Sequence, residues 1–281
     1  MSQKRILLTI DDSPSSKFTE LIGFLNSRNI KTVLFCRGDR IRGNENIMIH
    51  AIRSGHTLGN HSYSHPHFSH LTLEECFEEI LKTDKLIQNL YQKAQQNQVK
   101  KVFRFPYGDK GDLKFGHHFW PVVKAFNHHQ TRTKKYISTI RSFIYGRKYE
   151  YKLTSLGTDR KNSLQLYLQQ LGYQQLNRKN ITYHFIQPLL DDIDWPWTID
   201  LAEWKYYDRT FDKDLTESIL EILYSKNPPL GYGNIPENYG LPFPDSNDIL
   251  LLHDHRNTLD VFTAAIDTLL DQGYQFTDPL L

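Results

Sequence analysis

At 281 residues the chain is longer than a usual single domain but within the range of an α/β barrel, and its 39% hydrophobic and 23% charged content permits a substantial core and excludes disorder as the main state. The formal net charge of +2 gives no electrostatic case for nucleic acid or a membrane as a partner of the chain as a whole. One domain spanning residues 1–281, carrying an insertion at 112–160, is the expected organisation.

The chain opens Met1-Ser2-Gln3-Lys4-Arg5 and passes directly into the apolar run from Ile6 to Ile10, which leaves no room for a signal peptide and predicts a cytoplasmic protein. Nothing further on approaches the roughly 18 apolar residues of a membrane span. Short apolar runs alternate with helix-period segments, the pattern of βα units around a parallel sheet. Strands are expected at Ile6 to Ile10, Thr32 to Cys36, Thr57 to Gly59, Val102 to Phe105, Thr182 to Ile186 and Ile249 to Leu252.

One amphipathic helix carries Cys76, Phe77, Ile80, Leu81, Ile87, Leu90 and Tyr91 on one face, opened by a Thr72/Glu75 capping box. Another runs from Leu259 through Phe262, Ala265, Ile266, Leu269 and Leu270 and ends at Gly273. Cys36 and Cys76 fall in a predicted strand and helix, where a small buried hydrophobe is the expectation. A Pro/Gly-rich loop, Pro228 to Pro244, precedes the last apolar strand. Residues 113–152 hold nine Lys/Arg against one acid, Glu150, so basic charge is concentrated there.

Asp11 and Asp12 close the first strand and Ser13-Pro14 then turn the chain, which puts two carboxylates at the strand end where α/β barrels build their chemistry. The segment from Gly59 to His70 holds four of the 13 histidines. His61 and His65, four apart, can converge on one ion if the chain curls back, and Pro66 disfavours a regular helix at His65. His67 and His70 are expected as surface or supporting groups. Two neutral imidazoles and one carboxylate leave coordination positions open for water and substrate, a catalytic rather than a structural composition. A second carboxylate alongside is a candidate general base for a water activated by the ion. Arg104 ends another predicted strand, ahead of the Pro106-Tyr107-Gly108 turn; its guanidinium suits a bidentate hold on a carboxylate, and the turn can present a backbone N–H to an oxyanion. His253 closes the apolar run Leu250-Leu251-Leu252 at the same edge.

In this order, Thr9-Ile10-Asp11-Asp12, His61-x3-His65-Pro66, Arg104-x-Pro106-Tyr107-Gly108, Asp191-x2-Asp194-Trp195 and Leu251-x-His253 resemble the five motifs of the polysaccharide deacetylase family, the NodB-like carbohydrate esterases. The resemblance covers residues 6 to about 111 and about 160 to 277. It implies a distorted (β/α) barrel of about seven strands with a basic aromatic insertion. It further implies Asp11 as general base, Asp12, His61 and His65 as metal ligands, and Arg104 as the group orienting Asp11. The Tyr107 N–H would serve the oxyanion, Trp195 would line the groove, Leu251 would contact the acetyl methyl, and His253 would be the general acid tuned by Asp194. Ser13 departs from the Gly usual in the family, and residues 112–160 exceed the usual link between the third and fourth motifs.

The implied activity is a metal-dependent deacetylase, a hydrolase of non-peptide carbon–nitrogen bonds that removes an N-acetyl group from an amino sugar, with Zn2+ preferred and other divalent transition metals open. Lack of a leader favours a lipid-linked or nucleotide-linked precursor over mature cell wall or chitin. The same site would serve an amidase acting on a small non-sugar amide. Two histidines and a carboxylate also suit Fe(II) oxygen chemistry, which has no need of Asp11 or His253, and a glycan-binding module without activity would bind sugar and release no acetate. The cations of 113–152 are interleaved with nine aromatics, the composition of a segment at a membrane interface. Peripheral docking on an anionic inner membrane face, a grip on a substrate phosphate and a solvated cap on the barrel rim all remain open; nucleic acid is a weaker use of the charge, since no binding module surrounds it.

Overall fold

The computed structural model describes residues 5–111, 156–177, 180–184, 186–201, 203 and 240–278. Among these, β1 (Arg5–Ser13), β2 (Val33–Cys36), β3 (Thr57–Asn60), β4 (Ile199–Asp200), β5 (Asp248–His253) and β6 (Gln275–Phe276) form one sheet, ordered β3-β2-β1-β5-β4 with β6 beside the start of β1. Every pairing is parallel, so each return crosses outside the sheet. The crossings carry α1 (Phe18–Ser27), α2 (Gly38–Ile41), α3 (Glu45–Arg53), α4 (Leu73–Ala94), α5 (Leu156–Gln170), α6 (Gln187–Leu190) and α7 (Leu259–Asp271).

Side chains alternate across a strand, and here both faces are buried. Ile6, Leu8 and Ile10 of β1, Leu34 and Cys36 of β2, and Leu250 and Leu252 of β5 pack outward into the core beneath α1, α3, α4 and α7. Leu7, Val33, Phe35, Ile249 and Leu251 face the other way and meet Val102, Trp195 and Trp197. This second core is the interior of the curved sheet. Asn60 donates to the Val102 carbonyl (2.9 Å) and Trp195 to that of Phe103 (2.8 Å), while Thr198 donates to Ile249 (2.9 Å). Hydrogen bonds therefore run from β3 through residues 102–104 and 195–200 back to β5, an arrangement that fits a distorted (β/α) barrel.

Two expected strands differ. Val102 to Phe105 makes only the single bridge Asn60↔Phe103, because Pro196 follows Trp195 with no N–H to continue the ladder and Pro106 ends the run. Residues 182–184 and 186 are coil and turn leading into α6. Tyr183 and Ile186 are buried in the interior core without strand pairing, and the Gln187 side chain donates to the Ile181 and Tyr183 carbonyls (2.9 and 3.2 Å) that a neighbouring strand would otherwise satisfy. The other four expected strands, the Thr72/Glu75 capping box on α4 and Gly273 after α7, at φ +83°, are where the sequence puts them. Cys36 and Cys76 are free and buried. The insertion lies outside the described residues up to 155, as does the Pro/Gly-rich loop up to 239, and no described helix is long and apolar enough to cross a membrane.

Candidate active site

The register brings β1 and β5 level at their C-terminal ends, with Asp11 and His253 as Cα partners. Both continue the interior face, Leu7-Thr9-Asp11 on one strand and Ile249-Leu251-His253 on the other. Strict alternation would then send Asp12 outward. Instead the β1–β2 register shifts between Ile10 and Ser13, and Asp12 takes φ +65°, so two consecutive carboxylates serve one end of the sheet.

The histidine loop is built by hydrogen bonds that its own sequence only half reveals. Asn60 accepts from Ser62 N–H (2.9 Å), and Ser62 Oγ accepts from His65 N–H (3.1 Å). From α4, Glu79 accepts from the backbones of Tyr63 and Ser64 (2.9 and 2.7 Å) and from Ser64 Oγ (2.9 Å). Gly59 is required just before, since a Cβ there would lie 2.6 Å from the Phe35 ring. Asp12, Ser62, His65 and Tyr107 all have φ between +58° and +65°. Such conformations cost about 1–3 kcal/mol each in non-glycine residues, and four of them meet at this site.

His61 Nδ1 lies 2.8 Å from the Arg104 carbonyl. A carbonyl only accepts, so Nδ1 carries the proton and the Nε2 lone pair faces His65 Nε2, 3.2 Å away. His65 Nε2 is 3.3 Å from Asp12 Oδ1, an oxygen buried without a hydrogen-bond partner among the described residues. Burial, aided by His61, lowers the His65 imidazole to about 3, which keeps it neutral. For Asp12, burial acts to raise the carboxyl, but the four histidines around it, His65, His61, His253 and His255, outweigh that and hold it well below the usual carboxylate range. A carboxylate and two imidazoles whose ligating atoms lie within 4.8 Å of one another are the donor set a divalent ion requires. The residues present fit the metal the sequence implies. Beyond them, His255 Nε2 is 3.4 Å from the other Asp12 oxygen, Oδ2.

Asp11 is held from the interior. Arg104, 1% exposed, donates through Nη1 to Asp11 Oδ1 (2.8 Å) and Thr9 Oγ1 (2.9 Å), through Nε to the Trp195 carbonyl (2.9 Å) and through Nη2 to that of Pro196 (3.1 Å). Arg104 thus meets Asp11 through one donor on one oxygen rather than by the expected bidentate hold, its other donors being taken by Trp195 and Pro196, and Asp11 Oδ2 remains turned toward His61 Nε2 at 3.5 Å. Tyr107 sits in its turn with the ring stacked on His67 at 4.0 Å and edge-on to His65 at 4.5 Å, while His67 Nδ1 lies 3.5 Å from Asp109.

Two expectations need correction. Asp194 does not serve His253: its carboxylate is taken by Lys110 Nζ (2.9 Å) and Gln165 Nε2 (2.7 Å), because residues 191–194 follow α6 rather than a strand and never reach the sheet's C-terminal edge. His253 has Glu203 instead, which accepts from both its backbone N–H and Nδ1, the latter at 3.2 Å, and Asp200 at the end of β4 completes the cluster. Trp195 lines no open groove among the described residues. It is 1% exposed, packed edge-on to Phe35 in the interior core, with Nε1 donating to the Gln174 carbonyl at 2.9 Å. Leu251 is buried in the same core, two residues before His253.

Asp200, Glu203 and His253 also form a group of ligating atoms within 4.8 Å of one another. Their electrostatics are the reverse of the first group's. Burial acts to lower the His253 imidazole, but Glu203, then Asp200 and Asp11, push it up to about 10. Here the ring's own proton is the cation that the carboxylates compensate. Glu203, Asp200, Glu79 and His255 were not singled out by sequence reasoning. For the first two a signal existed, since Asp200-x2-Glu203-Trp204 repeats the carboxylate-x2-carboxylate-Trp pattern nine residues after Asp191.

The family model described as polysaccharide deacetylase matches residues 1–155, and the chain belongs to that family. A peptidoglycan-N-acetylglucosamine deacetylase of Bacillus cereus is 31% identical over 109 residues, 38% of this chain and 38% of that protein. Chitin deacetylase 1 of Cryptococcus neoformans is 35% identical over 105 residues, 37% of this chain and 21% of that protein. The matches thus span well under two thirds of these relatives' length. Among solved structures, the peptidoglycan deacetylase PdaC of Bacillus subtilis shares the fold with a TM-score of 0.53 at 19% identity, covering 99% of this chain and 90% of that one. A family 4 carbohydrate esterase of Streptomyces lividans does so at 0.54 and 18%, covering 97% and 91%.

Proposed function

We propose that the chain is a metal-dependent deacetylase that hydrolyses the N-acetyl group of an amino sugar. The observation that carries this reading is the pairing of Asp11 with His253 at adjacent strand ends, beside a metal-ligand set. One is an arginine-held carboxylate and the other an imidazole held by Glu203, which pushes it toward the protonated form. A base and an acid within one site are what amide hydrolysis needs, because the amine leaves only when protonated.

A divalent ion held by Asp12, His61 and His65, with Zn2+ the best match to two imidazoles and a carboxylate, would polarise the acetyl carbonyl and acidify a water. Asp11 takes the water's proton, with Arg104 fixing Oδ1 so that Oδ2 faces the ligand set. The Tyr107 N–H assists the oxyanion, and Leu251 forms the floor beneath the acetyl methyl. His253 passes a proton to the departing nitrogen and is left neutral, and Glu203 and Asp200 favour its reprotonation. The substrates printed for the relatives, peptidoglycan N-acetylglucosamine and chitin, support an N-acetylglucosamine unit, and a lipid-linked or nucleotide-linked precursor is the form we propose. The whole of residues 1–281 is proposed to act as one catalytic domain.

The test is an acetate-release screen of the metal-loaded chain on N-acetylglucosamine oligomers, nucleotide-linked and lipid-linked N-acetyl sugars, and small cyclic amides. Acetate from a sugar supports the reading. Ring opening of a cyclic amide with no acetate from any sugar would replace it with the amidase alternative.

A further inference from the structure

A cleft of about 520 Å³ opens beside the metal-ligand set and meets it through one wall residue, His255, whose Nε2 lies 3.4 Å from Asp12 Oδ2. Its size falls within the roughly 300–1,000 Å³ of ordinary small-ligand sites. Arg40 and Arg42, at the end of α2, and Arg256, after β5, supply its charge.

The acids in the same wall are already committed. Asp39 is clamped by Arg37 through two hydrogen bonds of 3.1 and 2.7 Å. Asp254 is buried, and its Oδ2 accepts from Ser15 N–H at 2.8 Å. Arg40 is half-buried and tied to the metal-ligand backbone, with Nη1 donating to the Asp12 carbonyl at 2.7 Å. Arg42 and Arg256 are exposed, and neither is ion-paired among the described residues. A merely solvated face would have no reason to combine concavity, spent carboxylates and a guanidinium anchored against the ligand-bearing turn. Planar guanidinium groups hold phosphate and carboxylate oxygens by paired hydrogen bonds.

We propose that this cleft is a subsite for an oxyanion, a phosphate or a carboxylate, carried by the sugar whose N-acetyl group is cleaved at the metal centre. The inference rests on the deacetylase reading and narrows its substrate class to anionic amino sugars. It concerns the Arg40–Arg42–Arg256 wall and is independent of the basic insertion.

The experiment compares kcat/KM of the metal-loaded chain on N-acetylglucosamine, N-acetylglucosamine 1-phosphate and N-acetylmuramic acid, for the native chain and an R42Q/R256Q variant. A preference of about 10-fold or more for a charged sugar, carried mainly in KM, is expected from two charge-assisted contacts. The variant should bring that ratio toward one, and an R42K/R256K variant should restore part of it. Which charged sugar is preferred identifies phosphate or carboxylate as the source. A native chain that treats all three alike, or a preference that survives in R42Q/R256Q, overturns the proposal. Inorganic phosphate titrated into the metal-free full chain separates the two readings. Binding that R42Q/R256Q loses, with no sugar cleaved, keeps the subsite and removes the deacetylase; cleavage of all three sugars at equal rates with no phosphate binding does the reverse.

Discussion

The two histidine–carboxylate clusters at the mouth of the barrel are built from similar parts and reach opposite protonation states. Asp12, His61 and His65 set two imidazoles against one carboxylate, and burial keeps His65 neutral, near 3. Asp200, Glu203 and His253 set one imidazole against two carboxylates, and the same burial is overcome, taking His253 to about 10. Ligating atoms converge around a neutral His65 in the first, and the imidazole is pushed toward its protonated form in the second. The ratio of imidazole to carboxylate thus decides which cluster suits a metal and which suits an acid, although both lie at strand ends of one sheet.

The contrast breaks most completely if a ligand is removed. His61→Ala should abolish stoichiometric metal binding and all measurable acetate release, read by metal analysis of dialysed protein. His253→Ala should lower kcat by roughly 10² to 10⁴-fold while metal content stays at the native level. Glu203→Gln should have a smaller effect and a more specific one. With the carboxylate that contacts it gone, His253 holds its proton less tightly, so the basic limb of the pH–rate profile should move to lower pH. Stability reports the same link. A folded-state imidazole raised above 6.5 stabilises the fold fully below that value, and the contribution fades as pH rises toward about 10. Thermal melts of the native chain should therefore decline across that window, and those of Glu203→Gln should decline earlier. His255→Ala, at the outer oxygen of Asp12, should weaken metal affinity by about 10 to 100-fold without removing the site, as measured by competition with a chelator.

Much of this site was legible in the sequence because its key residues sit at the ends of short apolar runs. Ile6 to Ile10 and Leu250 to Leu252 fix their strands by composition alone, so Asp11, Asp12 and His253 had to fall at one edge. The four-residue spacing of His61 and His65, with Pro66 after them, was enough to predict a loop that curls back. What sequence could not supply were partners fixed by packing across long separations. Glu79 reaches the histidine loop from the middle of α4, and His255 meets Asp12 only because β1 and β5 are neighbours. The exchange of Asp194 for Glu203 has a sharper cause. Two copies of a carboxylate-x2-carboxylate-Trp pattern stand nine residues apart, and the family resemblance falls on the first. The second follows Thr198-Ile199, whose backbone pairs with β5, and that pairing carries Asp200 and, just beyond the strand, Glu203 to the catalytic edge. A two-residue strand is too short for periodicity to reveal.

The most direct measurement of the division between the clusters is metal stoichiometry and affinity, by equilibrium dialysis with Zn2+, in the native chain, Asp12→Ala, and a Glu203→Gln/His253→Ala double variant. One equivalent bound by the native chain and by the double variant with similar Kd, and none by Asp12→Ala, is the expected result. Loss of the ion in the double variant, or its retention in Asp12→Ala, would contradict the assignment of metal to one cluster and proton to the other.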